Sequence, residues 1–147
     1  MREVDPAAPC PCGWGEPYAA CCGRHHAGEP APTAEALMRS RYSAFVREDE
    51  AYLLRTWDRR DRPGALDLAG TGDRWRRLVV LATTGGGPFD DAGTVEFEAH
   101  AREGGRRRVQ HEVSAFRREG GRWLYAGATG GAAGGAAGGA AGGAAGS

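Results

Sequence analysis

The sequence predicts an α+β fold: a small cysteine-bearing element, then helices packed on one face of a curved antiparallel sheet. Three observations predict it. All four cysteines fall within residues 10–23, CPCGWGEPYAACCG. Apolar residues recur with helical spacing through TAEALMRSRYSAFVREDEAYLLRTW, residues 33–57. After the loop DRRDRPGALD the period changes to two, and EGG at 103–105 and at 119–121 separates alternating segments. Helices first and strands afterwards is the order of an α+β domain.

At 147 residues and 41% hydrophobic, the chain is one domain's worth. We divide it into a metal-binding element at 1–30, an α+β domain at 31–128 and a flexible Gly/Ala-rich tail at 129–147. The tail, GGAAGGAAGGAAGGAAGS, has no large side chain to bury against its ordering entropy. The 19 basic residues, all arginine, balance 19 acidic ones. Zero net charge argues against a general nucleic-acid coat protein. No apolar run approaches a membrane span, and MREVDPAAP lacks the apolar core of a signal peptide. The expectation is a cytoplasmic protein with no membrane partner. In a reducing compartment, clustered cysteines point to metal rather than to disulfides.

The cysteines are spaced Cys10-x-Cys12, eight residues, then Cys21-Cys22. Tetrahedral zinc takes four such ligands at about 2.0–2.3 Å. A C-x-C pair sets two thiolates on one tight turn, which Gly13 and Gly15 help to close. C-x-C is not the C-x-x-C of oxidoreductases. Neighbouring cysteines crowd the shell, so His25 or His26 is an alternative to Cys22 as fourth ligand. Four protein ligands leave no open position, which makes the zinc structural. A loop this short needs metal to hold it.

Thr33 is the expected N-cap of the first helix, with Glu35 in the first turn. At 100° per residue, Leu37, Met38, Ala44 and Phe45 share one face with Arg41 near its middle; Arg39 and Ser43 fall on the opposite side. A guanidinium aimed inward is either a structural arginine or an anchor inside a pocket, and Tyr42 flanks the same face. A second helix is expected from Asp49 to Trp57.

Strands are expected at 75–84, 93–102, 107–118 and 122–126. The second alternates Val95, Phe97, Ala99 and Ala101 against Glu96, Glu98, His100 and Arg102. In the third, Val109, His111, Val113 and Ala115 share one face; Gln110, Glu112, Ser114 and Phe116 share the other. On an open sheet that second face would meet solvent. On a curved sheet closed by helices it lines a semi-polar pocket with Arg41, Tyr42, Glu112 and Ser114, in which Glu112 pairs with Arg41. His111 points away from Glu112, so no His–Glu dyad forms.

CPCGWGEPYAACCG resembles the SEC-C motif, a zinc element of the SecA translocation ATPase, with Trp14 in the place of the usual serine. With LMRSRYSAF, YLLRTW and HEVSAF…GGRWLY added, residues 10–125 resemble the YchJ-like family of uncharacterised bacterial proteins. The resemblance implies a SEC-C zinc knuckle followed by an NTF2-like cone of helices on the sheet. The family pattern continues past Trp-x-Tyr with a hydrophobic residue, Asp and Gly, where this chain has Ala126, Gly127 and Ala128. The resemblance implies an adaptor or binding module docking through its knuckle, with the ribosome or a translocation-linked protein as partner. Trp14 and Arg24, beside the two histidines, are the docking candidates. The arginine runs at 59–62, 74–77 and 106–108 are candidate phosphate contacts, so nucleic acid enters only as part of a ribosome. The alternative is a small-ligand-binding protein or enzyme using the pocket. No nucleophile with an adjacent base is visible, which favours binding over catalysis. NTF2-like sheets also lend themselves to homodimers through an open face.

Overall fold

A computed structural model describes residues 1–130. In chain order it has a 3-10 turn at Tyr18–Ala20, α1 (Cys22–His26), α2 (Ala34–Arg47), α3 (Glu50–Arg55), a 3-10 turn at Thr71–Asp73, then β1 (Trp75–Gly85), β2 (Ala92–Glu103), β3 (Arg106–Glu119) and β4 (Arg122–Gly130). From residue 131 the Gly/Ala tail lies outside the described residues.

Local chemistry sets the helix ends. The Thr33 hydroxyl accepts the Ala36 amide at 3.0 Å, an N-cap bond. Glu48 turns left-handed at φ 58°, and the next amide, of Asp49, donates back to the Ala44 carbonyl at 2.8 Å. Asp49 then caps α3 by accepting from the Tyr52 amide. The second helix stops at Arg55, short of the expected Trp57. There the chain leaves the helix to pair with β4: the Asp58 amide donates to the Tyr125 carbonyl, and the Tyr125 amide to that of Thr56, each at 2.8 Å.

The sheet is an antiparallel meander in the order β1-β2-β3-β4. β2 and β3 pair without a break from Ala92↔Arg117 to Glu103↔Arg106. Register shifts interrupt β1–β2 between Trp75 and Arg77 and between Val80 and Ala82, and β3–β4 between Val113 and Ser114 and between Ala115 and Phe116. Such bulges bend a sheet. Gly104–Gly105 and Gly120–Gly121 all have positive φ, as two-residue hairpin turns need. β4 runs to Gly130, past the expected 126, because ladder hydrogen bonds continue where large side chains have ended.

Helix α2 lies on the concave face. Leu37 and Met38 pack with Val95, Phe97, Phe116 and Trp123 in the main core. The opposite sheet face is open: Leu81 and Val109 are about half exposed, and His111 meets Glu96 there at 2.6 Å. The Glu112–Ser114–Phe116 face of β3 is therefore the inward one. On the far side of α2, Ser43 is buried and Arg39 largely covered by the cysteine element. Among the described residues no helix is long and apolar enough to cross a membrane.

Candidate metal centre and enclosed pocket

The sulfurs of Cys10, Cys12, Cys21 and Cys22 all lie within 4.8 Å of one another and could hold a metal ion. Cys12 Sγ and Cys21 Sγ are 3.6 Å apart. A tetrahedron with metal–sulfur bonds of about 2.3 Å has edges of about 3.8 Å, so the donor set fits zinc. Gly13 and Gly15, with φ of 81° and 103°, close the turn after the first pair. Cys21 sits between the 3-10 turn and α1 with non-helical φ −126° and ψ −115°, which directs the two neighbouring thiols into one cluster.

Four sulfurs this close cannot all ionise without a cation. Cys10 is held low by hydrogen bonds from Cys12 and then Cys22. Cys21 is pushed up to about 12, by burial first and then by the charge on Cys12. Cys22 is pushed up by its hydrogen bonds to Cys10 and Cys12 and then by burial. A divalent ion at the centre reverses this balance and lets all four bind as thiolates.

Both histidines are hydrogen-bonded outside the sulfur cluster. His25 Nδ1 lies 2.9 Å from the Glu29 carbonyl. His26 is engaged at both nitrogens, by the Tyr18 hydroxyl at 2.6 Å and the Ser40 carbonyl at 2.8 Å. These contacts fasten the element to α2. Ser43 Oγ meets Cys10 Sγ at 3.6 Å, and Arg39 Nη1 donates to the Cys12 carbonyl at 2.9 Å. The Arg39 guanidinium lies 4.3 Å from the centroid of Trp14, which remains 51% exposed. Arg24 is exposed and paired with Glu29.

Between α2 and the sheet is a cavity of about 40 Å³, lined in part by Arg41, Tyr42, Glu112 and Ser114, with Trp75 and Gln110. Arg41 and Glu112 do not form the expected direct pair. Arg41 Nη1 donates to the Leu53 carbonyl at 2.8 Å and to Thr56 Oγ1 at 2.7 Å. Glu112 Oε2 accepts from Ser114 at 2.5 Å and from Tyr125 at 3.0 Å. Tyr125 joins the two charges: its hydroxyl reaches Glu112 while Arg41 lies 4.5 Å from its ring centroid. The end of α3 supplies a backbone carbonyl and a hydroxyl as acceptors closer than the carboxylate, and the ring occupies the space between. Burial lowers Arg41 to about 10, so it stays charged at neutral pH. Tyr42 is pushed up mainly by burial. Trp75 Nε1 and Gln110 Nε2 are buried without a hydrogen-bond partner among the described residues.

Sequence reasoning missed Tyr125, which was read only as part of a motif, and Asp58. Asp58 is 1% exposed, bonded to Arg117 Nε at 2.5 Å and Arg60 Nη2 at 2.9 Å. Hydrogen bonds from Arg60 and then Arg117 hold its carboxyl below the usual range. Its position in an arginine-rich loop gave no periodic signal.

A profile of the YchJ middle, NTF2-like domain matches residues 33–128. A UPF0225 protein of Streptomyces coelicolor is 54% identical over 122 residues, covering 82% of this chain and 94% of that one. One from Corynebacterium glutamicum is 52% identical over 118 residues, covering 80% and 93%. Among solved structures, a SEC-C motif containing protein from Rhodopseudomonas palustris superposes with a TM-score of 0.70 at 35% identity, covering 83% of this chain and 98% of that one. Another from Psychrobacter arcticus gives 0.68 at 27% identity, covering 82% and 81%.

Proposed function

This chain belongs to the YchJ-like family, with a SEC-C element before an NTF2-like domain, and from that premise we propose that it is a zinc-binding adaptor docking through its cysteine knuckle. One observation carries the reading. Four sulfurs lie close enough together to fill a metal's shell, while Trp14 stands half exposed on the same short loop. A closed shell does no chemistry on substrate; it builds a rigid surface. An exposed aromatic flanked by an arginine is the kind of side chain that anchors interfaces. The SEC-C resemblance supplies the partner class: the ribosome or a translocation-linked protein, met in the cytoplasm.

The test is co-sedimentation with ribosomes across a salt series, with metal content measured on the same samples. Intact protein binds and carries about one zinc per chain. Cys12→Ser loses both, and Trp14→Ala keeps the zinc and loses binding. Zinc-loaded protein that fails to sediment at low salt removes the ribosome from this reading.

A second reading is a small-ligand site in the cavity, favoured by the buried, unpartnered N–H groups of Trp75 and Gln110. Buried donors are rarely left unpaired, so an acceptor belongs there. A bound ligand shifts the Trp75 indole resonance; a small-molecule library that leaves it unmoved points to water as the occupant.

A further inference from the structure

The sheet gathers arginines that are far apart in sequence. Glu103 on β2 faces Arg106 on β3, Arg102 faces Arg107, and Ala101 faces Arg108. On the other side of β2, Trp75 faces Ala101 and Arg77 faces His100. The 74–77 and 106–108 runs therefore meet at one end of the sheet, with Arg102 between them. Seven arginines stand there against two carboxylates, Asp73 and Glu103, in a chain whose total charge is zero. Both carboxylates are occupied: Asp73 by Arg2 at 2.7 Å, Glu103 by Arg74 and Arg108 at 2.8 Å each. Arg77, Arg102 and Arg107 share the outer face of the sheet with His100, and Arg106 and Arg108 lie on the other face at the same end. Arg77, Arg106 and Arg107 are exposed, with no side-chain ion pair or hydrogen bond among the described residues. Beyond His100 the same strand turns acidic at Glu98 and Glu96, which bounds the patch.

This end adjoins the knuckle. A Cβ at Gly13 would stand 4.0 Å from the Leu78 carbonyl, one residue beyond Arg77. Trp14, next in the chain, has Arg39 against its ring and is half exposed. Guanidinium forks match phosphate geometry, and they fit nucleic acid when an aromatic ring beside them can take a base. Anionic lipid would call for an apolar face to insert, which the arginine runs lack.

We propose that the arginine end of the sheet and Trp14 form a binding surface for single-stranded RNA, arginines holding phosphates and the indole stacking a base. It rests on the docking reading above and names the chemistry of the partner. Bare single strands bind such surfaces with strong salt dependence.

The test uses zinc-loaded, full-length protein and fluorescence anisotropy with a labelled oligouridylate of about twelve nucleotides, titrated between roughly 50 and 200 mM salt. Affinity falls steeply with salt. The triple variant Arg77→Gln, Arg106→Gln, Arg107→Gln reduces the slope of log K against log salt by about 2. Trp14→Ala weakens binding about tenfold with the slope kept, and Trp14→Tyr restores it. No binding near 50 mM salt, an unchanged slope in the triple variant, or preference for vesicles containing phosphatidylglycerol over RNA overturns the proposal. Ribosome co-sedimentation of the intact protein, measured beside its oligouridylate titration, separates the two readings. If the intact protein does not bind the oligouridylate while its zinc-dependent sedimentation persists, the RNA surface falls and the docking knuckle stands. If neither occurs, both fall.

Discussion

Helix α2 divides two interiors built on different physics. Toward the sheet, Leu37, Met38 and Tyr42 enter a core of aliphatic and aromatic side chains, and burial of apolar surface drives the contact. Toward the knuckle, Arg39, Ser40 and Ser43 face carbonyls, an imidazole and a sulfur. That interior has four cysteines and Tyr18 at its centre. It is small to hold itself by burial alone, and a metal bound by the four sulfurs would supply the missing stability. The contrast shows why a helix face of small polar residues need not meet solvent. The knuckle presents a carbonyl to Arg39 and an imidazole donor to the Ser40 carbonyl, so the surface it covers needs polar partners rather than methyl groups.

The largest expected effect separates the two interiors outright. Removing metal, or Cys12→Ser, unfolds the knuckle at a cost of several kcal/mol while the sheet survives. Hydrogen exchange should show residues 1–30 deprotected and β2–β3 still protected; loss of both together would mean the two interiors fold as one. Because the ligands bind as thiolates, metal affinity falls as pH falls, and release on acidification should precede loss of the sheet's circular dichroism signal.

Glu112→Ala strikes the other interior. It leaves Ser114 and Tyr125 without their acceptor and removes a buried countercharge near Arg41, for an expected loss of about 3 kcal/mol by denaturant unfolding. A loss below about 0.5 kcal/mol, the surface norm, would show that the Tyr125-linked network contributes nothing. Zinc content should be unchanged.

Arg39→Ala probes the seam. It removes the bond to the Cys12 carbonyl and the contact with Trp14, and about 1–2 kcal/mol of stability with them. The loss should appear in knuckle exchange rates before it appears in global unfolding. The smallest effect tests α2 itself: Thr33→Ala removes the N-cap bond and about 1 kcal/mol, spread over both interiors alike. A zinc affinity unchanged in that variant would place the helix start outside the knuckle's support.

Much of this was legible in the sequence. Four cysteines in 13 residues, a capped helical period and a two-residue alternation broken by EGG are local signals, and each survives as an element because short-range geometry decides it. Cys10, Cys12, Cys21 and Cys22 meet because few chain paths separate them. Which faces would be covered was not local. The inward direction of Glu112 and Ser114 depends on the bulges that curve the sheet, and the burial of Ser43 depends on where the knuckle lands. Tyr125 comes between Arg41 and Glu112 only because β4 lies beside β3 and the end of α3 pairs with it. Arg77 and Arg107 share one end of the sheet only through the register of three strands. Sequence alone thus determined the elements and the cysteine cluster that could hold a metal, which rest on contacts between near neighbours. Tertiary structure alone decided which polar groups are enclosed and which charges stand together, because those depend on distances between residues far apart in the chain.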